Sequence, residues 1–457
     1  MKIFSSIFFL ILSILSHAQI GIIDPTYNVG TGSDIYVTYI SMQPDQKVIA
    51  SGNFTSFNGF PRQNIVRLNV DGSVDSSFNP QIALTSKTIG VTVVQNDGKI
   101  IIAGIYANSK GYIARLNSDG TIDNTFTPPI NELNFYNAIV LNSDGKILVA
   151  GEVYTTNGST FKNVARLNTD GTFDVTFNPA KTGTNNRATS IKIVANNKIM
   201  IGGYFSTYNN IARKGIARLN EDGSLDETFN PGLGANSSIY GINELEDGKI
   251  IIGGFFTSYN GISKNHIAKI NQDGSLDTSF NPVFNENGAN VIETKTLSNG
   301  KILVTGNFNN VNGVTKNHVV ILNSDGSLES TNPDTSFDNP VNICLKQNDG
   351  KLVCGGFFSM YGTSDSKGVV RIIPNDLLST SAVSENKIQI NPNPTYDFLN
   401  IKTTKLDIEN VFIHDLTGKL IFSGKSSRIN VSKFPSSTYI ISIKTSEGLK
   451  SFKFIKQ

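Results

Sequence analysis

A unit of about fifty residues repeats along this chain, a period typical of propeller blades and solenoids. One copy, from Ser238 to Pro282, reads SIYGINELEDGKIIIGGFFTSYNGISKNHIAKINQDGSLDTSFNP. Its first turn is a DGK-like tripeptide, whose lysine recurs as Lys47, Lys99, Lys146, Lys198, Lys249, Lys301 and Lys351. A glycine follows five residues later in every copy: Gly52, Gly104, Gly151, Gly203, Gly254, Gly306 and Gly356. The second turn is N-x-D-G-[ST], as at Asn69-Asp71-Gly72 and Asn271-Asp273-Gly274. Between these turns lie runs rich in Ile, Val, Leu and Phe, and Asp-Gly between such runs is a hairpin signal. Two hairpins per unit and no helical periodicity predict a four-stranded blade. A β-solenoid is the rival architecture, but its coils are usually shorter and lack paired hairpins.

The ends of the array predict a closed ring. The seventh unit stops after Val369-Val370-Arg371-Ile372-Ile373, its third strand. The missing fourth strand is found at the other end of the chain, as Ile22-Ile23-Asp24-Pro25-Thr26-Tyr27-Asn28. Closure by this strand removes the unpaired edges of an open array. The expected fold is therefore all-β, a seven-bladed propeller over residues 19–374 closed by its N-terminal strand. In this order the tight Asp-Gly turns share one face. The second-to-third-strand loops and blade connections share the other, and variable loops on a rigid scaffold are where binding usually sits.

Residues 1–18 read as a signal peptide. Lys2 precedes an apolar run from Ile3 to Leu15, and Ser16-His17-Ala18 offers the small residues needed for cleavage. The run is short for a membrane span and no basic residue follows it directly, so no transmembrane span is expected in the mature chain. No cysteine near the junction suggests acylation. Lys+Arg 39 against Asp+Glu 37 leaves a formal net charge of +2, which gives no field for nucleic acid.

The repeat, D-G-K-[IL] with D-G-[ST]-x-[DE]-x-x-F-[ND], resembles the delta-60 repeat of secreted bacterial β-propellers. The sixth copy departs from it, because Glu329-Ser330-Thr331-Asn332 has lost the Phe. The resemblance implies the fold and an exported setting, and brings no catalytic residues. After a linker at 375–386, residues 387–457 show short strands and turns, as in a small Ig-like β-sandwich. This stretch is similar to the type A C-terminal sorting domain of type IX secretion. The matching residues are Asn391-Pro392-Asn393-Pro394, Asp415 with Gly418-Lys419, and Thr438-Tyr439-Ile440-Ile441. Ser436-Ser437 stands where a glycine is common. The similarity implies the type IX machinery as a partner, and secretion through the periplasm to the outer surface or beyond.

Chemistry is sparse. N-x-D-G-x-x-D invites a calcium reading, but Arg67 and Phe78 stand where an EF-hand-like loop needs oxygen ligands. Side chains capping their own turn explain the pattern without metal, and no cofactor is expected. His266 and His318 occupy matched positions of neighbouring blades and are taken as structural. A channel hydrolase or lyase acting on polysaccharide needs two facing carboxylates. The inner strands offer only Glu244, Glu246 and Glu293, and no G-x-S-x-G, phosphate loop or HExxH is present. The expected role is therefore non-catalytic binding of an extracellular glycan or protein, with the polysaccharide enzyme as the alternative. Candidate loop-face residues are Phe57, Arg62, Tyr208, Tyr259 and Tyr361. The aromatic four either stack on a ligand or pack each loop onto its own blade, and the absence of Trp weakens the sugar-stacking version. Cys344 and Cys354 lie at equal distances from Asp349 of the turn, a spacing that sets them opposite each other on paired strands as a candidate disulfide in an oxidising compartment. Two free thiols packed as small hydrophobes are the alternative.

Overall fold

The computed structural model describes residues 21–80, 87–106, 111–128, 135–153, 163–178, 182–284, 288–297, 300–329, 337–374, 388–403, 407–415, 419–445 and 448–457. The signal segment and the linker read from the sequence lie outside the described residues. The chain separates into two compact units, with the division between residues 375 and 376.

The first unit is built from seven antiparallel sheets. In blade 1, Tyr36–Met42 pairs with Val48–Asn53, which pairs with Ile65–Leu68. The other innermost strands are Lys87–Val94, Phe135–Leu141, Ala188–Ile193, Ile239–Glu244, Asn290–Thr296 and Val341–Lys346. In blades 1 to 6 the fourth strand shrinks to a single bridge, such as Leu68 with Val74 or Ile270 with Leu276. Blade 7 takes its outer strand from the N-terminus: Gly21–Ile23 pairs with Val369–Pro374 in the sheet that also holds Leu352–Gly356 and Val341–Lys346.

The recurring glycine has a steric cause. A Cβ on Gly52 would lie 2.3 Å from the Tyr36 carbonyl oxygen, and one on Gly151 only 1.7 Å from that of Phe135. Opposite this glycine every innermost strand carries a one-residue bulge, between Val37 and Tyr39 in blade 1 and between Val291 and Glu293 in blade 6. The extra residues are Thr38, Gly90, Asn137, Thr189, Tyr240, Ile292 and Asn342. A bulge bends its strand and re-aims a side chain. Thr38 and Thr189 use theirs to reach the next blade, donating to the carbonyls of Ile89 at 2.7 Å and Ile239 at 2.6 Å.

The other recurring residues form a charged clasp on the turn face. Asp75 Oδ2 accepts from Lys47 Nζ at 2.7 Å and Arg67 Nε at 2.8 Å, while Oδ1 caps the turn at Ser77. Arg67 Nη1 then crosses to the next blade and donates to the Ser118 carbonyl at 2.5 Å, its guanidinium lying 4.8 Å from the Phe78 ring centroid. Blades 2, 3 and 4 repeat this with Arg115, Arg166 and Arg218, and blade 5 with Lys269. In blade 7 the carboxylate is Asp24, on the N-terminal strand. It accepts from Arg371 and Lys351, each at 2.8 Å, and Arg371 Nη1 donates to the Val70 carbonyl of blade 1. The ring is thus closed by backbone pairing and by the same clasp that joins each of blades 1 to 5 to the next. Apolar clusters fill the spaces between neighbouring blades, as where Leu148 and Ala150 of blade 3 pack with Ile191, Ile199 and Ile201 of blade 4.

The second unit has a three-stranded sheet (Ile388–Asn391, Phe398–Thr403, Arg428–Asn430) and a four-stranded one (Leu420–Gly424, Ile408–Asp415, Ser437–Thr445, Gly448–Lys456). They share a core of Leu399, Ile401, Val411, Ile413, Ile429, Ile441, Ile443 and Phe454. Asn391-Pro392 and Asn393-Pro394 are cis. Asn393 grips the last strand, accepting from Ile455 N at 2.9 Å and donating to the Lys453 carbonyl at 3.0 Å. Asp415 Oδ1 accepts from Lys419 N at 3.0 Å, and Gly418 lies outside the described residues.

Candidate functional site

The aromatic loop residues singled out from the sequence point inward. Phe57, Tyr208 and Tyr259 are 0% exposed and Tyr361 is 2%. Each sits in a small hairpin between the second and third strands of its blade, as in the pairing of Tyr208 with Ile211. The phenols of Tyr208, Tyr259 and Tyr361 donate to the carbonyls of Gly223, Gly274 and Gly21 at 2.6, 2.7 and 2.9 Å. These four side chains hold the loops onto their blades and offer no face to a ligand, which corrects their place among the candidate binding residues. Arg62 is half-buried and bends back onto the Pro61 carbonyl at 2.8 Å.

A different set of aromatics faces out. The residue after the recurring glycine is Tyr204 in blade 4, Phe255 in blade 5 and Phe357 in blade 7, and these are exposed by 49%, 43% and 43%. Tyr204 meets Tyr240 of the neighbouring blade, hydroxyl to hydroxyl at 2.7 Å. Phe357 meets Tyr36 of blade 1 edge-on, with ring centroids 4.9 Å apart. These pairs form an interrupted aromatic rim on the loop face. Elsewhere on it Arg187 pairs with Glu152 at 2.5 Å.

Inside the rim lies a cavity of about 590 Å³ lined from all seven blades. Tyr240 and Phe357 belong to its wall, together with the bulge residues Thr38, Asn137, Thr189 and Asn342. Further in come Tyr39, Ser190, Lys192, Glu293 and Lys295. A second hollow of about 620 Å³ opens near the turn face, between blades 2, 3 and 4, and shares Val140 and Lys192 with the first. The two hollows therefore meet along the channel at Lys192. Burial, with a lesser contribution from Lys295, holds the Lys192 ammonium below the usual lysine range. Burial and the Glu293 charge push the Tyr39 phenol well above its ordinary value, so it stays protonated and able to donate.

Glu293 is the one carboxylate among the described residues lining the cavity inside the rim. Glu244 accepts instead from the backbone N–H of Ala195, at 2.9 Å. The N-x-D-G turns use their own oxygens: Asp71 Oδ1 accepts from Ser73 N at 3.0 Å and Ser73 Oγ at 2.6 Å. His266 and His318 occupy a left-handed position, φ 68° and 67°, where other blades have Asn64, Asn163, Gly215 or Gly368. Blade 2, with Tyr112 paired to Gly104, lacks that left-handed residue. Cys344 and Cys354 face each other across the first hairpin of blade 7 and are bonded, with sulfurs 1.96 Å apart.

The family model of a β-propeller domain of unknown function, DUF5122, matches at residues 43–78, 95–126, 142–177, 195–229, 245–280, 297–331 and 347–377, together more than half of the chain. The chain belongs to the DUF5122 β-propeller family. A secretion-system C-terminal sorting domain matches residues 389–457 of this DUF5122 protein, marking it as secreted or surface-attached through type IX secretion. No curated protein matches it. Among solved structures it is similar to PorZ, a surface component of the type IX secretion system of Porphyromonas gingivalis, at 14% identity and TM-score 0.43 over 93% of this chain and 60% of PorZ. It is similar to the extracellular domain of a putative hybrid two-component system from B. thetaiotaomicron, at 12% identity and TM-score 0.46 over 94% and 56% of the two chains. It is also similar to a gluconolactonase from Xanthomonas campestris, at 11% identity and TM-score 0.39 over 77% and 98%. The chain thus spans just over half the length of the first two structures.

Proposed function

We propose that this exported propeller is a non-catalytic binding protein that takes its ligand at the loop-face mouth of the channel. The supporting observation is the cavity walled by all seven blades, with Tyr240 and Phe357 at its mouth and polar side chains below. A concave site with aromatic walls and a few convergent polar groups is the usual form of a small-ligand site. A lining with one carboxylate lacks the facing pair that glycoside hydrolysis ordinarily uses. In this reading the C-terminal unit delivers the propeller through the type IX machinery and plays no part in binding.

The test is a screen of saccharides and peptides against mature protein beginning at Gln19, followed by titration of Tyr240→Ala and Phe357→Ala variants. Each substitution is expected to weaken a captured ligand about 10-fold, from roughly 1.5 kcal/mol lost with an aromatic contact. A captured ligand whose affinity neither substitution changes removes the channel mouth from the reading.

A further inference from the structure

We propose that the channel site recognises an acidic saccharide, with Lys192 and Lys295 opposing its negative group. The inference rests on the binding reading above and names the ligand class for that same site. Its starting point is a coincidence of register across two blades. Lys192 pairs with Met200 on the second strand of blade 4, and Lys295 pairs with Leu303 on the second strand of blade 6. Both lie four residues beyond the start of the bulge, so they occupy one structural position. The other blades fill it with Ser41, Val93, Val140, Asn243 and Leu345. The repeat therefore does not need a lysine there, and apolar residues satisfy the position in three blades.

The two lysines flank blade 5 and line the same cavity. Glu293 is 4.0 Å from Lys295, at the limit of an ion pair, and among the described residues it is the one carboxylate on a cavity wall that carries two lysines. Among the described residues Lys192 makes no ion pair; burial and Lys295 work against its charge and outweigh the help of Glu293 and Glu244. An isolated ammonium in such a place costs free energy unless a counter-charge arrives. A bound anion relieves both penalties at once.

The rest of the wall narrows the ligand class. Ser190, Asn137 and Asn342 offer hydroxyl-sized partners around the channel, and Glu293 accepts from hydroxyl donors. Tyr240 and Phe357 provide ring surfaces at the mouth, suited to the apolar face of a sugar. Cations at the floor, amide and hydroxyl groups at mid-height and aromatic rings at the mouth match a pyranose bearing a carboxylate or sulfate.

The test is calorimetric titration of the mature protein with three trisaccharides: a galacturonate, a sulfated galactose and neutral galactose. One or both acidic probes are expected to bind at least about 10-fold more tightly than the neutral one, the worth of a hydrogen bond to a charged group. Lys192→Met and Lys295→Met are expected to erase that preference, and Lys192→Arg to keep it. Far-ultraviolet circular dichroism verifies that each variant is folded. Binding by the galacturonate alone assigns a carboxylate, and by the sulfated probe alone a sulfate. Equal binding of all three, weakened throughout by Tyr240→Ala, overturns the acidic class and leaves the channel reading standing. Acidic binding untouched by the lysine variants overturns the assignment of the lysines. Binding untouched by Tyr240→Ala and the lysine variants alike overturns the channel reading itself. No binding of any of the three, with a peptide captured instead, overturns the saccharide.

Discussion

Removing the carboxylate of Asp24 tests how the ring is closed. Asp24 is 1% exposed and receives Arg371 and Lys351 on one oxygen, and Thr26 N and Oγ1 on the other. Arg371, itself 5% exposed, lies 4.4 Å from the Tyr27 ring centroid and reaches the Val70 carbonyl of blade 1 at 2.7 Å. In Asp24→Ala the guanidinium stays buried with its counter-charge gone. Breaking a buried pair from one side typically costs about 3–5 kcal/mol. The same loss is expected for Asp75→Ala in blade 1, where the chemistry is identical. The two variants differ in what holds the strand. Asp75 follows its turn on a continuous chain, whereas Gly21–Ile23 is an end segment held by three paired residues, the clasp and the Tyr361 phenol. Both variants are therefore expected to lose stability in urea, and only Asp24→Ala to release the N-terminal strand under native conditions.

The assay is urea unfolding of the mature protein followed by circular dichroism, with amide hydrogen exchange of a peptide covering 21–27. A double variant, Asp24→Ala with Arg371→Met, is expected to recover part of the loss, because it removes the unpaired charge as well. If Asp24→Ala unfolds within about 0.5 kcal/mol of the parent, a change usual for a surface substitution, the clasp does not close the ring. Unchanged exchange at 21–27 in an otherwise destabilised variant refutes the argument from chain ends.

Acid should weaken the propeller. In Asp24, Asp75, Asp174, Asp226 and Asp277 burial raises the pKa, but hydrogen bonds from the clasp and its turn outweigh it; in Asp123 the Lys99 bond leads, and all six carboxyls lie well below the usual range. A depressed native pKa gives stability that is present above the unfolded value of about 3.9 and is lost as pH falls below it; the urea midpoint should therefore drop steeply between about pH 5 and pH 2, and a flat profile there contradicts the assignment. Removing residues 387–457 should leave a folded propeller in the periplasm, and normal surface delivery of that truncation defeats the sorting role. Denatured, unreduced mature protein should show no reactive thiol, and two per chain rule out the Cys344–Cys354 bond.

The sequence made the architecture legible because the residues that carry it are under steric or electrostatic demand. The recurring glycine sits where a carbonyl leaves no room for Cβ. The DGK lysine and the last Asp of the N-x-D-G-x-x-D run are two ends of one clasp, so they recur together. Ile22-Ile23-Asp24 was recognisable as a fourth strand because it carries that Asp. The site was much less legible. Tyr208 and Tyr204 are four residues apart, and nothing in their spacing says which is buried. The hairpin at Thr207–Tyr208 turns one inward, while the end of the second strand turns the other out. Lys192 and Lys295 each stand six residues before the turn lysine of their copy, Lys198 and Lys301, so the repeat aligns them, but nothing in that spacing says that they line a cavity. The signal available was the residue directly after the recurring glycine, which is aromatic in three copies.

The sixth copy departs from the repeat for a reason that lies in blade 7. Ile321 stands where the clasp has Arg67, Arg115, Arg166, Arg218, Lys269 and Arg371, since it pairs with Leu303 as Arg67 pairs with Ile49. Each of those cations donates to a carbonyl in the next blade's third-to-fourth-strand turn. In blade 7 the third strand ends at Pro374 and its outer partner is the N-terminal strand, so no covalent turn joins them. An arginine at 321 therefore has no such carbonyl to reach. Isoleucine removes the unmet donor and packs against the apolar cluster that includes Cys344, Cys354 and Leu352. The half of the clasp internal to blade 6 survives as Lys301 with Glu329, at 3.0 Å. Restoring the repeat's own residue by Ile321→Arg should therefore destabilise the protein, by about 1–3 kcal/mol for a buried donor left without its acceptor. The reverse substitution in blade 1, Arg67→Ile, should destabilise as well, because there the acceptor and Asp75 are both present. A gain in urea midpoint for Ile321→Arg shows that the sixth seam lacks a cation for some reason other than the missing turn.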